Sequence, residues 1–249
     1  MYQFFIEDEN AAEDFVTIEG SDVNHIKNVL RMKPGEKIRV CTRSGQNYFC
    51  SIFDITESFV RADILEKEAE STELPCRIYL FQGLPKNDKM EWIIQKTVEL
   101  GVYEVIPVAM KNCVVKLDDK KAKSKVMRWQ AIAESAAKQS KRSLIPEVKM
   151  PMSYKEAVAY AKELDVKLVP YENEHGMAGT KAAMEQIKKG ESIAVFIGPE
   201  GGFAPEEIAL VQDEMQLISL GKRILRTETA GIAALAILGY QLESSDMIE

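Results

Sequence analysis

Histidine is almost absent from this chain: only His25 and His175 occur in 249 residues. The four cysteines, Cys41, Cys50, Cys76 and Cys113, never fall as a CxxC pair. With so few soft ligands and no paired spacing, a zinc site is not expected, and neither is any other metal; reduced, partly buried thiols are. No basic stretch followed by an apolar core opens "MYQFFIEDENAAEDF", so no signal peptide is read there. The longest apolar run near the other end, "AGIAALAILGY", is too short to cross a bilayer. A soluble, cytoplasmic chain with no membrane partner is expected.

Two phosphate-binding signatures are missing as well. A P-loop needs GxxxxGK[ST], and "GPEGGFAPEE" offers no lysine or hydroxyl at that spacing. A dinucleotide fold needs GxGxxG near the first βα turn, whereas Gly198, Gly201 and Gly202 lie in the last fifth of the chain. Pro199, between them, has no N–H to offer a phosphate.

What is present is a change of texture near residue 75. Residues 1–70 carry short alternating runs, "YQFFIE", "EKIRVCTR", "QNYFCSIFDI" and "FVRADILE", broken by "KPGE" and "RSGQN". Period-2 alternation of this kind predicts a small β-rich unit. One helix interrupts it, "SDVNHIKNVLRM", with Ser21 as N-cap and Val23, Ile26, Val29 and Leu30 on one face. The charged stretch 66–75, "EKEAESTELP", reads as a linker. From Arg77 onward strands and helices alternate through to "ETAGIAALAILGYQLES", which predicts a mostly parallel sheet covered on both faces. Gly101 is expected to end one helix and Pro205 to begin another.

The net charge of −7 argues mildly against nucleic acid, but its distribution does not. Between His25 and Gly45 six basic residues face one acid, Glu36, and between Lys111 and Arg142 ten face three. Two basic islands on an acidic chain suggest phosphate contacts, with solvated surface faces as the plain alternative.

Two late stretches carry the chemistry. "SIAVFIGPEGGF" is an apolar strand ending in glycines, where parallel sheets bind ligands and where a missing Cβ lets backbone N–H groups approach closely. "LISLGKRILRTETA" repeats the arrangement of strand, glycine, short loop and helix. Thr227 and Glu228 are candidate caps, with Thr229 in the first helical turn. Ile197, Leu220, Ile224 and Leu225 would wall one shared pocket.

"IGPEGGF" at 197–203, followed by "LGKRILRTETA" at 220–230, resembles the ribosomal RNA small subunit methyltransferase E family. "HIKNVLRMKPGE", "LFQGLPK", "QKTVELGV" and "ESAAKQSKRSLIPEV" agree in order and spacing, with one departure at Lys138, where an acid would be expected. The resemblance spans nearly the whole chain. It implies a PUA-like β-barrel RNA-binding domain at 1–72 and an α/β, trefoil-knotted methyltransferase domain of the SPOUT class at 73–249. It implies S-adenosylmethionine as cofactor, a homodimer, and methylation of uridine N3 in 16S rRNA of the small ribosomal subunit. The cofactor would lie against Ile197, Gly198, Gly201, Leu220, Gly221, Ile224, Leu225, Thr229 and Ala230.

Arg226 is the first candidate for stabilising charge on the uracil oxygens, unless it pairs with Glu200 or Glu228. Glu200 would take the N3 proton, which needs a raised pKa, or hydrogen-bond the adenosine. Arg31, Arg43, Lys86, Lys96, Arg128 and Arg142 are candidates for RNA phosphate contacts, and His25 for stacking on a base. Trp92 and Trp129 are expected in the core or at a dimer contact. Two other readings stay open: a non-catalytic ribosomal RNA-binding module, and a knotted methyltransferase acting on tRNA.

Overall fold

The structure is a computed structural model that describes residues 1–68 and 71–245. Residues 69 and 70 of the expected linker, and 246–249, lie outside the described residues. The chain forms two units: Met1–Glu73 with Ala137–Ile145, and Leu74–Ala136 with Pro146–Glu249.

In the first unit the alternating runs become β1 (Tyr2–Ile6), β3 (Lys37–Thr42), β4 (Asn47–Ile55) and β5 (Phe59–Glu68). A further strand, β2 (Phe15–Glu19), was not read from the sequence, although its Val16 and Ile18 are buried and the residues between them less so. The sheet order is β1-β3-β4-β5-β2, parallel at β1–β3 and antiparallel elsewhere. No ladder joins β1 to β2 among the described residues, so the sheet is a half-barrel. Its inward residues, among them Phe4, Ile18, Ile38, Val40 and Ile52, pack with Val23 and Ile26 of the interrupting helix.

That helix departs from the expected one. It begins at Ser21, so Gly20, with φ 72°, holds the capping position instead. After α1 (Ser21–Asn24) the backbone widens into a π turn over His25–Val29, in which the Leu30 N–H donates to the His25 carbonyl at 2.8 Å. The wider turn carries Val29 off the apolar face, and it is 62% exposed.

Residues 137–145 complete this unit. The Gln3 amide donates to the Arg142 carbonyl at 2.6 Å, and the Asn47 amide donates to the Ser143 hydroxyl at 2.8 Å. Lys138, the departure noted above, pairs with Asp22 at 2.9 Å.

The second unit is built on β6 (Arg77–Gly83), β7 (Val102–Ala109), β8 (Glu147–Val148), β9 (Met152–Ser153), β10 (Val166–Pro170), β11 (Ser192–Ile197) and β12 (Gln216–Ile218). The order is β12-β10-β11-β6-β7-β8, with β9 also on β7, and all pairs are parallel. From β6 the chain first builds outward through β7, then returns to the other side. The switch in direction therefore falls at β6 and β11, where open α/β sheets bind ligands.

The helices are α2 (Lys89–Glu99), α3 (Asp119–Ser140), α4 (Tyr154–Ala161), α5 (Ala178–Glu185), α6 (Pro205–Val211) and α7 (Thr227–Ser245). Gly101 follows α2 with φ 91°, its N–H donating to the Val98 carbonyl. Pro205 opens α6, where its lost N–H costs no helical bond. At the sheet centre Phe81 and Phe196 stack with ring centroids 4.4 Å apart, both fully buried. From the edge strand β12, the chain crosses back so that α7 packs on α2, β11 and β6. No described helix is long and apolar enough to cross a membrane.

Candidate functional site

The apolar strand β11 ends beside β6, with Ile197 paired to Gln82. The next residues of each must pass closely. A Cβ on Gly83 would lie 2.7 Å from the backbone nitrogen of Pro199, closer than real side chains come. The glycine turn then closes on itself through a 2.9 Å bond from the Gly202 N–H to the Pro199 carbonyl, with Gly202 at φ 68°. So the flexible residues follow the buried strand because two backbones and a tight turn meet there, and only glycine fits.

The second loop is bound to the first. The Thr227 hydroxyl donates to the Gly198 carbonyl at 2.6 Å and accepts from the Gln82 amide at 2.9 Å. Gly231 stands where a Cβ would press on Gln82 Oε1 at 3.3 Å. Thr227 is therefore not a helix cap. The first helical bond of α7 runs from the Ala230 N–H to the Arg226 carbonyl at 2.8 Å, which puts Arg226 at the capping position. Gly221 bends the loop at φ 110°, its N–H donating to the Ser219 hydroxyl at 3.2 Å.

The two loops enclose a cavity of about 640 Å³, within the range of small-molecule sites. Ile197, Gly198, Leu220, Gly221, Ile224, Leu225 and Ala230 line it, as the sequence led us to expect, together with Glu200 and Arg226. Two expected residues do not. Gly201 faces Asn112, whose Cβ lies 3.0 Å from where its own would be, and the Asn112 amide donates to the Gly201 and Gly202 carbonyls. Thr229 is exposed on α7, outside the cavity lining.

A third wall was missed in the sequence. Tyr171, Glu172, Glu174 and His175, which follow β10, line the cavity, as do the basic residues Lys222, Arg223 and Arg226. The signal was the same one used for the other loops, the carboxyl end of a parallel strand, but "VPYENEHG" carries no glycine cluster to draw attention.

Lys89, the first residue of α2, was missed too, and no local pattern marks it. Its ammonium sits 3.0 Å from Glu200 and 3.3 Å from Glu228. The Glu200 hydrogen bond and, beyond it, Glu228 hold the Lys89 ammonium above its ordinary pKa. Burial pushes the Glu200 carboxyl up, but bonds from Lys89 and the Lys86 N–H outweigh it, and its pKa lies below the usual carboxylate value. The expected alternative for Arg226, a pair with one of these acids, does not form. Its guanidinium makes no hydrogen bond or ion pair among the described residues.

The basic candidates separate by their partners. Arg142 is corrected: its side chain is 4% exposed and its guanidinium pairs with Glu73, so it is closed to a phosphate. Arg43 pairs with Glu7, Lys96 with Glu99, and Arg128 with Glu91, all at solvent-facing positions. The side chains of Arg31 and Lys86 are exposed and make no ion pair among the described residues; Arg31 also holds φ 54°, rare for a residue with a side chain. His25 is exposed on the π turn. Trp129 is buried as expected, but Trp92 is half exposed under the Lys96 ammonium, 5.0 Å from its ring centroid.

Comparison with known proteins places this geometry. Residues 72–239 match the family model described as an RNA methyltransferase domain, and residues 18–65 match the RNA methyltransferase PUA domain. The chain is 39% identical over 250 residues to the ribosomal RNA small subunit methyltransferase E of Bacillus subtilis (strain 168), covering 98% of each. It is 34% identical over 233 residues to the protein of the same name from Mesomycoplasma hyopneumoniae (strain 232), covering 93% of this chain and 96% of that one. A crystal structure of the Neisseria gonorrhoeae ribosomal RNA small subunit methyltransferase E, bound to S-adenosyl methionine, superposes with TM-score 0.83 at 32% identity, covering 96% of each chain.

Proposed function

Because this chain belongs to the ribosomal RNA small subunit methyltransferase E family, we propose that the cavity between its two glycine loops holds S-adenosylmethionine and that Arg226 acts on the uracil. The chain is an S-adenosylmethionine-dependent enzyme that methylates uracil N3 in 16S rRNA. Its fold joins a PUA-like half-barrel to a SPOUT-like methyltransferase domain.

The residues present fit the cofactor. The cavity is large enough, its floor of Ile197, Leu220 and Leu225 is apolar, and the turns at Gly202 and Gly221 bring backbone close without side chains. When bound, the cofactor supplies a methyl group already activated by the sulfonium. What remains for the chain is to hold uracil N3 in line with that methyl and to ease loss of the N3 proton. As N3 gives its electron pair to the methyl carbon, the carbon–sulfur bond breaks and the sulfur becomes a neutral thioether. The N3 proton leaves to solvent water ahead of the transfer, and until the methyl arrives the negative charge is shared with the uracil oxygens O2 and O4. The Arg226 guanidinium stabilises that charge through paired N–H donors. Glu200, ionised and held by Lys86 and Lys89, ties the loop in place rather than taking the proton.

The unpaired guanidinium of Arg226 at the cavity wall carries this assignment. Arg226→Ala is expected to keep its fold and bind the cofactor while losing methyl transfer by about a hundredfold or more. Turnover at the wild-type rate would remove Arg226 from the chemistry.

We further propose that residues 1–72 bind RNA, with Arg31 among the phosphate contacts, and that Lys86 of the second unit contacts phosphate as well. The chain acts in the cytoplasm on the assembled small subunit, as a homodimer with the crossing before α7 knotted. The return of α7 from the edge strand to the sheet centre supports the knot, and the exposed Tyr240 on α7 supports a partner there. Light scattering of the purified protein tests the dimer, and mapping methylated nucleotides in a deletion strain tests the target.

A further inference from the structure

We infer that Lys89 is a positioning residue that keeps Arg226 available by occupying the two carboxylates able to capture it. The inference rests on the role given to Arg226 above. Three features carry it. Lys89 and Glu200 both line the cavity with Arg226, while Glu228 lies two residues beyond Arg226 in the first turn of α7. The Lys89 ammonium reaches both carboxylates, one on each glycine loop, at 3.0 and 3.3 Å. The Arg226 guanidinium, close in sequence to one acid and in the same cavity as the other, has no partner among the described residues.

The charges explain why a lysine is needed. Glu200 accepts from the Lys86 N–H and from Lys89, but its side chain is still a quarter exposed. Glu228 is less exposed, and Lys89 is the cation drawn to it. Take away the ammonium and two anions remain near an unpaired guanidinium. Pairing with either would satisfy both partners and turn Arg226 from the place where uracil charge develops. Lys89 touches neither uracil nor methyl in this scheme; it acts through Arg226.

The test is a cycle of variants in the full chain, read by single-turnover methyl transfer to small subunits, with cofactor affinity measured by calorimetry. Lys89→Met is expected to lower the rate about tenfold or more, the size expected when a charge-stabilising group is diverted, with cofactor Kd changed by less than about threefold. Lys89→Arg should restore most of the rate. Adding Glu200→Gln and Glu228→Gln to Lys89→Met should bring the rate to that of Glu200→Gln/Glu228→Gln alone, because no anion is left to capture Arg226. A purely structural lysine would lower cofactor affinity along with the rate, and the nearly unchanged Kd separates the two. The inference is overturned if Lys89→Met transfers methyl at the wild-type rate, or if the triple variant is slower than Glu200→Gln/Glu228→Gln. Should Lys89→Met not fold, the triple variant is compared with Glu200→Gln/Glu228→Gln alone: equal rates support the inference and a slower triple variant overturns it. Arg226→Ala separates the two claims. If that variant is fully active, the reading of Arg226 fails; if it is inactive while Lys89→Met is fully active, only the role of Lys89 fails.

Discussion

The hydroxyl of Thr227 lies 2.6 Å from the carbonyl oxygen of Gly198, and that bond joins two loops 29 residues apart. The same hydroxyl accepts from the buried Gln82 at 2.9 Å, so the ends of β6 and β11 and the start of α7 meet at one oxygen. The cavity exists because these three ends are held together.

Thr227→Val keeps the shape and removes the hydroxyl. The Gly198 carbonyl then loses the hydroxyl donor and the Gln82 amide one of its two acceptors, in a largely water-free place, at a cost of about 1–3 kcal/mol. Denaturant unfolding should show a loss in that range, and calorimetry a weaker grip on S-adenosylmethionine. Thr227→Ser, which keeps the oxygen, should fall well short of this. Equal losses in both variants would mean that the methyl group, not the hydrogen bonds, matters.

Gly83→Ala places a Cβ 2.7 Å from the Pro199 nitrogen, a backbone atom that no side-chain rotation can move away. The turn must move, at an expected cost of about 1–3 kcal/mol. Because the turn forms one side of the cavity, cofactor affinity should fall along with stability. A variant with unchanged unfolding midpoint and affinity would show that the two strand ends separate freely.

Arg142 and Glu73 form a pair in which the arginine side chain is 4% exposed and the glutamate 18%. Glu73→Gln removes a counter-charge from a buried guanidinium, which should destabilise the first unit by about 1–3 kcal/mol. Thermal unfolding measures it. Below the unfolding temperature, the salt dependence of RNA binding should be that of the wild type, since Arg142 does not meet phosphate.

Glu200 and Lys89 set opposite pH limits. The Glu200 pKa is lowered from 4.5, so its contribution to stability is complete above that value and is lost as pH falls through the lower folded-state value. The Lys89 pKa is raised from 10.5, so its contribution is complete below that value and is lost as pH rises through the higher one. Both are therefore intact at neutral pH. The stability gap between wild type and Glu200→Gln should narrow as pH is lowered from 7 to about 3. A gap that stays constant across that range would show that Glu200 is not held ionised by its neighbours.

Local pattern made much of the chain legible. Alternation in "EKIRVCTR" and "FVRADILE" marked strands, and the glycine after "KTVEL" marked a helix end, because these signals depend only on neighbours along the backbone. They failed where the backbone departed from a regular period. The π turn at His25–Val29 moved Val29 into solvent, and β2, no shorter than β1, was hidden by the acidic residues before it.

The same division runs through the site. By itself the sequence determined which residues could bend sharply and approach a ligand, since a glycine's freedom and a loop's position after a strand are local properties; Gly198 and Gly221 were readable for that reason. Only the tertiary structure decided which charges would meet. Lys89 reaches Glu200 across 111 residues of sequence, Arg142 is buried against Glu73 across 69, and Arg226 is left unpaired as a consequence of the first of these. Ion pairing depends on distances of a few ångströms between side chains from separate elements, and those distances exist only once the sheet has brought the ends of its strands together.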